Sequence, residues 1–112
     1  MNRIAALSLS ATLVLAASTG SAQTQVDAEA AEALMKRNDC FKCHAIDRFK
    51  KGPPFNRVAA RLKTKPDGVA TIIEHISSGP MIQMDDVDQR HKIIDTKDPA
   101  ELRNIAQWIL SL

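Results

Sequence analysis

The sequence is poor in large aromatic residues and in cysteine. Its 112 residues include one tryptophan, three phenylalanines, no tyrosine and only two cysteines. Structural zinc sites usually need four Cys or His ligands in closely spaced pairs. Zinc is disfavoured, because there is no third cysteine and the histidines outside the cysteine motif, His75 and His91, lie 16 residues apart. The scarcity of aromatic side chains also suggests that something other than the chain fills part of the core.

The sequence also lacks an apolar run long enough to span a membrane. The longest run, Ile4–Ala17, has 14 residues and includes serine and threonine, whereas a transmembrane helix needs roughly 18 or more. It follows Arg3 and precedes small residues that end at Ala22, which is the order of a secretory signal peptide. We therefore predict a cleaved signal peptide over residues 1–22, a single domain over residues 23–112, a periplasmic location and no remaining membrane span.

The predicted exported chain has little net charge, but its charges are unevenly distributed. With 14 basic and 13 acidic side chains its net charge is +1, which argues against a nucleic-acid partner. Residues 36–65 carry ten Lys or Arg and two Asp, whereas residues 66–112 carry four basic and eight acidic residues. A basic region around the cysteines would attract a partner that is acidic near its docking site.

Short helices account for most of the remaining sequence, and no segment alternates clearly enough to predict a strand. The first predicted helix, residues 27–37, is rich in helix formers, with Ala31, Leu34 and Met35 as its buried side. Capping residues and the Gly and Pro positions predict further helices over residues 55–62, over residues 68–78 and from residue 99 onward. We interpret residues 80–97 as an extended loop. The sequence thus predicts an all-α domain of three to four short helices.

The stretch NDCFKCHAID, residues 38–47, contains Cys40 and Cys43 with His44 directly after them. A redox dithiol of the thioredoxin type needs surrounding strands, and a disulfide across two intervening residues closes too small a loop to stabilise much. In an exported chain the motif C-x-x-C-H instead indicates covalent haem attachment. The two thiols form thioethers with the haem vinyl groups, and the histidine binds the iron. A haem would also supply the missing core.

These residues resemble small bacterial class I cytochromes c. The family pattern of CxxCHAID, Gly-Pro, an aromatic residue and Val-Ala is similar to CFKCHAID and GPPFNRVAARL here, and the closing helix is similar to AQWILSL. The resemblance implies the class I cytochrome c fold around one haem c that contains iron and is bound through Cys40 and Cys43. It also implies that His44 is the proximal iron ligand and that its Nδ1 donates to the carbonyl of Pro53.

The resemblance further implies a methionine as the second axial ligand, although no proline follows either methionine of GPMIQMDDVD as it does in the family. We predict Met84, which lies 40 residues after His44, with Met81 as the alternative and His91 as a rival. His75 is expected to be structural or at the surface. The candidates for binding the haem propionates are Arg57, Arg61 and Lys63.

An iron with both axial positions filled leaves no site for a substrate, so we predict one-electron transfer rather than catalysis. The preferred hypothesis is a diffusible periplasmic carrier. One alternative is a dedicated electron-accepting subunit in a tight complex with a periplasmic oxidoreductase, such as a molybdenum dehydrogenase, docking through apolar residues of the segment 80–97. The other is a haem sensor for small gases.

Overall fold

The computed structural model describes residues 25–112, so the predicted signal peptide lies outside the described residues. The described domain is mostly helical, with a small two-stranded sheet. No helix within it is both long and apolar enough to cross a membrane. The elements in chain order are α1 Ala28–Arg37, α2 Cys40–Cys43, α3 Phe55–Leu62, α4 Gly68–Ser78, β1 Met81–Met84, β2 Val87–Arg90 and α5 Pro99–Leu110.

The helices begin and end close to the predicted positions. A carboxylate caps α1, where Asp27 Oδ1 accepts from the amide of Ala30 at 2.9 Å. Asp98 Oδ1 caps α5 in the same way at 2.9 Å. The end of α4 is Gly79, whose φ of 64° is the left-handed conformation that glycine adopts without strain. The helix count exceeds the prediction because α2 is a separate single turn.

Helix α5 is the centre of the domain, since α1, α3 and α4 all pack against it. The predicted buried side of α1, formed by Ala31, Leu34 and Met35, is confirmed. The residue before α1 is also joined to the middle of α5, because the amide of Asp27 donates to Asn104 Oδ1 at 2.8 Å. In return, Asn104 Nδ2 donates to the carbonyl of Asp27 at 2.7 Å.

Residues 81–90 form an antiparallel hairpin, so the prediction of an extended loop was wrong there. Met84 pairs with Val87 across the turn. The two turn residues, Asp85 and Asp86, have φ of 51° and 60°, as in the type I′ turns that match the twist of paired strands. Most side chains of both strands are exposed, so the apolar alternation that would have predicted strands is absent.

Residues 91–95, here called the strap, leave the hairpin and return to the helices. The amide of His91 donates to the carbonyl of Pro80 at 2.8 Å, and the amide of Ile94 donates to the carbonyl of Ile76 at 2.9 Å. Ile94 is itself buried in the core. The strap is therefore held at a defined position beside α4.

Candidate functional site

A cavity of about 540 Å³ separates the cysteine motif from the hairpin and the strap. This volume lies within the 300–1,000 Å³ typical of sites for small molecules and cofactors. Its wall includes apolar side chains from four helices: Met35, Phe55, Ile72, Ile105 and Ile109. The same helices that form the core thus also build an apolar pocket.

Cys40, Cys43 and His44 lie together on the wall of this cavity. Both cysteines are free thiols within the single turn of α2, and the amide of His44 donates to the carbonyl of Cys40 at 3.0 Å. Burial raises the pKa of the Cys40 thiol. One helical turn thus presents two thiols, and the imidazole that directly follows them, to the same space.

The ring of His44 is fixed in orientation by its surroundings. Its Nδ1 lies 2.7 Å from the carbonyl oxygen of Pro53, the contact that the resemblance implied. A carbonyl only accepts hydrogen bonds, so Nδ1 carries the proton and Nε2 keeps a free lone pair. The ring stacks on Phe55 with centroids 5.0 Å apart. A Cβ at Gly52 would lie 2.6 Å from His44 Cε1, so the loop backbone also packs closely against this ring.

The structure separates the two predicted methionine ligands. Met84 is half-buried and lines the cavity. Met81 is 59% exposed and is not among the residues that line the cavity. Of these two candidates, only Met84 lies on the cavity wall.

Among the predicted propionate partners, Arg61 lines the cavity and the other two do not. The guanidinium of Arg57 lies over the ring of Phe49, 5.2 Å from its centroid. The ammonium of Lys63 donates to the main-chain oxygen of Leu112 at 3.2 Å. Both of these side chains contact other parts of the domain.

Two further histidines reach the cavity, and the sequence contained no local pattern to show that they would meet. The ring centroid of His91 lies 6.1 Å from that of His44 and 4.3 Å from that of His75. Nδ1 of His91 lies 2.8 Å from the carbonyl of Lys92. Burial lowers the pKa of both His75 and His91, which favours their neutral forms.

Positive charge surrounds the mouth of the cavity. The exposed cations that line it, here called the cationic rim, are Lys42, Lys51, Arg61, Arg90 and Lys92.

One acid lies among these cations. Asp39 pairs with Lys42 at 3.0 Å and with Lys92 at 3.3 Å. Hydrogen bonds from Lys42 and then from Lys92 hold the pKa of Asp39 below its usual value. Arg90 and Lys92 come from the acidic half of the sequence, so folding concentrates positive charge beyond what the linear pattern indicated.

The properties of the cavity fit a covalently attached haem. The apolar wall suits the macrocycle, the two thiols suit its vinyl groups, and the cationic rim suits its propionates. A bare metal ion fits less well, because residues 25–112 contain no group of three or more Cys, His, Asp or Glu that could hold one.

Comparison with known proteins gives a consistent assignment. Residues 28–112 match the family described as Cytochrome c. Cytochrome c-551 of Pseudomonas denitrificans is 32% identical over 81 residues, covering 72% of this chain and 95% of that protein. Cytochrome c-551 of Pseudomonas aeruginosa PAO1 is 30% identical over 84 residues, covering 75% of this chain and 78% of that protein.

Solved structures agree with this assignment. The class 1 cytochrome MtoD from Sideroxydans lithotrophicus ES-1 superposes with a TM-score of 0.73 at 39% identity, covering 78% of this chain and 97% of that one. Cytochrome c552 of Nitrosomonas europaea superposes with a TM-score of 0.58 at 25% identity, covering 72% of this chain and 98% of that one. The chain therefore belongs to the cytochrome c family, as a small class I member that carries one covalently attached haem c and transfers electrons rather than catalysing a reaction.

Proposed function

We propose that the protein is a periplasmic one-electron carrier whose haem is bound through Cys40 and Cys43, with His44 as an axial ligand. The observation that carries the proposal is the geometry of His44, whose Nδ1 lies 2.7 Å from the carbonyl of Pro53 while its ring shares the cavity with both thiols. When bound, the haem iron supplies one-electron exchange between its ferric and ferrous states.

The chain's own residues hold the proximal side in one arrangement. The Pro53 carbonyl selects the tautomer of His44 that leaves Nε2 free to bind a metal, and it fixes the orientation of the ring. Gly52 and Phe55 confine the ring from other directions. The apolar wall limits water around the site, and the polarity of that surrounding shell is one of the factors that set a reduction potential.

The cationic rim supports a carrier that docks weakly on an acidic partner. Charges around a cavity mouth raise the rate of encounter with a partner of opposite charge, and this effect weakens as salt is added. Lys51 and Arg61, two exposed members of the rim, have no acidic partner among the ion pairs of residues 25–112. A transient docking site of this kind suits a protein that exchanges electrons with more than one partner.

The second axial ligand predicted from the sequence, Met84, stays a prediction. Its half-buried position on the cavity wall makes it a stronger methionine candidate than the exposed Met81. The periplasmic location depends on the predicted signal peptide over residues 1–22. Amino-terminal sequencing of the exported protein is expected to begin at Gln23, and an uncleaved chain would contradict that part of the proposal.

Haem staining after denaturing electrophoresis tests the attachment. The protein would be exported from a host that attaches c-type haem, together with the double variant Cys40→Ser/Cys43→Ser and the surface control Lys65→Ala. Wild type and control are expected to keep their haem through denaturation, and the double variant is expected to lose it. Haem that is extracted from the wild type by acidic acetone would contradict attachment through these thiols.

A fixed subunit of a larger oxidoreductase is the second candidate function. Met81, Val87 and Ile93 are apolar and are 59%, 61% and 53% exposed, which suits burial against a permanent partner. Gel filtration of the exported fraction from the native cells separates the two. A carrier is expected to elute at the mass of one chain, whereas a subunit would elute with a much larger complex.

A further inference from the structure

We infer that the second axial ligand of the haem is Nε2 of His91 rather than the sulfur of Met84, so that the iron is held between two imidazoles. The inference depends on the haem attachment proposed above. It adds the distal ligand and the consequence of that ligand for the class of redox partner.

The separation of the two rings is within a few tenths of an ångström of that expected across a shared metal ion. In protein metal sites an imidazole nitrogen lies about 2.0–2.1 Å from the metal and about 1.2 Å from its own ring centroid, so two rings facing each other across one ion have centroids about 6.4–6.6 Å apart. The centroids of His44 and His91 are 6.1 Å apart. Their planes are tilted by 49°, which is allowed because two axial rings need only share the axis through the metal.

The two imidazoles have the same hydrogen-bond arrangement. Nδ1 of His44 lies 2.7 Å from the carbonyl of Pro53, and Nδ1 of His91 lies 2.8 Å from the carbonyl of Lys92. Each carbonyl requires a proton on Nδ1 and leaves the lone pair of Nε2 free. A metal-binding histidine almost always donates its other ring N–H to a carbonyl or carboxylate. His91 thus has the orientation that a ligand needs.

The strap holds His91 at a defined position. The amide of His91 bonds to the carbonyl of Pro80 at 2.8 Å. The next residue, Lys92, pairs with Asp39 beside the cysteine motif at 3.3 Å.

Further along the strap, the amide of Asp95 donates to the buried side-chain oxygen of Asn38 at 2.8 Å. Both contacts to residues 38 and 39 tie the strap to the segment that carries the thiols. Ligands are held accurately when their backbone is anchored on both sides in this way.

Met84 has a less constrained position. It is the last residue of β1, directly before the turn at Asp85 and Asp86. The hairpin contacts chiefly its own partner strand, and a methionine side chain has three rotatable bonds. These properties suit a side chain that packs along the cavity wall. His75 also lines the cavity and its ring lies 4.3 Å from that of His91, so it serves as a control in the same environment.

A haem held by two imidazoles has a lower reduction potential than one held by a His/Met pair. A thioether ligand raises the reduction potential of a c-type haem, so replacing it by a nitrogen ligand lowers that potential. The partners of this protein are therefore oxidoreductases that work at lower potential than those served by His/Met carriers.

Spectroscopy of the exported, haem-loaded protein tests the inference. The samples are wild type, Met84→Leu, His91→Leu and the control His75→Leu, each examined as the ferric protein by visible absorption and electron paramagnetic resonance. Wild type is expected to lack the weak long-wavelength band of sulfur bound to ferric iron and to show a low-spin signal of two imidazoles. That signal is expected to persist in Met84→Leu and His75→Leu and to disappear in His91→Leu.

A sulfur band that is present in wild type and lost in Met84→Leu would overturn the inference in favour of Met84. A spectrum that changes in His75→Leu and not in His91→Leu would also overturn it. His91→Met covers the case in which His91→Leu does not fold, and it is expected to gain the sulfur band and to raise the potential. Failure of haem attachment itself would appear in the denaturing gel and would count against the proposed function instead.

Discussion

Gly52 determines how closely the loop after the cysteine motif approaches His44. A Cβ at this position would lie 2.6 Å from Cε1 and 2.9 Å from Nδ1 of the imidazole, distances that real Cβ atoms do not adopt. The neighbouring Pro53 supplies the carbonyl that orients the same ring. The absence of a Cβ at Gly52 thus allows the loop backbone to pack directly against the imidazole of His44.

We expect Gly52→Ala to displace His44 and to weaken its hydrogen bond to Pro53. Overpacking of this kind typically costs about 1–3 kcal/mol in the free energy of unfolding. The variant should therefore unfold at a lower urea concentration than wild type, and its haem spectrum should change. Asp47→Ala, an exposed position in the same loop, is the control. Wild-type stability and an unchanged spectrum for Gly52→Ala would contradict the close packing.

At the scale of elements, the helices could be predicted from the sequence and the hairpin could not. Capping residues predicted the helices, because Asp27 and Asp98 mark two helix starts and Gly79 marks a helix end. The hairpin depends on its turn, and Asp85-Asp86 is not one of the Asn-Gly or Asp-Gly pairs that mark such a turn in sequence. The position of His91 follows from the hairpin, so its closeness to His44 could not be read from the sequence either.

Asn38 joins two elements that are far apart in the chain. The residue is only 4% exposed. Its Nδ2 donates to the carbonyl of Leu34 in α1 at 2.9 Å, and its Oδ1 accepts from the amide of Asp95 in the strap at 2.8 Å. The amide side chain thus connects the end of the first helix to the segment across the cavity.

We expect Asn38→Ala to lower the free energy of unfolding by about 1–3 kcal/mol, because it removes both side-chain hydrogen bonds and leaves the part-buried amide of Asp95 without its partner. Urea unfolding followed by circular dichroism measures this change. Asn56→Ala, at an exposed position, should stay within about 0.5 kcal/mol of wild type. Hydrogen exchange at the amide of Asp95 should also accelerate in Asn38→Ala, and equal protection in both variants would show that Asn38 does not hold the strap.

The turn of the hairpin offers a stabilising substitution. Asp86 has a φ of 60°, a conformation that costs non-glycine residues energy and costs glycine little. We expect Asp86→Gly to stabilise the hairpin by up to about 1 kcal/mol, seen as slower hydrogen exchange of its cross-strand amides. Asp88→Gly, within β2, is the control and should weaken pairing. Faster exchange in Asp86→Gly would contradict the observed turn.

At the scale of the whole molecule, the charge asymmetry of the sequence predicted a basic region around the cysteines, but it did not predict which residues form it. Residues 36–65 contribute Lys42, Lys51 and Arg61 to the cationic rim. The other two members, Arg90 and Lys92, belong to the acidic half of the sequence and are placed at the cavity by the hairpin and the strap. The predicted attachment motif was contiguous in sequence and could be identified directly. The rim is assembled from segments far apart in the chain, so it became apparent only in the folded structure.

We expect the double variant Lys51→Glu/Arg61→Glu to slow oxidation of the reduced protein by the anion ferricyanide. The slowing should be on the order of tenfold at low ionic strength and should shrink as salt is added. Oxidation by the cation tris(phenanthroline)cobalt(III) should become faster. Lys65→Glu/Arg103→Glu makes the same change in net charge outside the cavity mouth. Equal effects of the two double variants would show that only total charge matters.

The ties of the strap to Asn38, Asp39 and Ile76 have a kinetic consequence. If the strap carries the distal ligand, a small molecule such as carbon monoxide can reach the iron only after this segment has opened locally. Its binding rate would then stop rising with concentration and level off at the rate of opening. Electron transfer needs no such opening and can occur in the closed form. The rate of strap opening would then limit the binding of diatomic gases without limiting electron transfer.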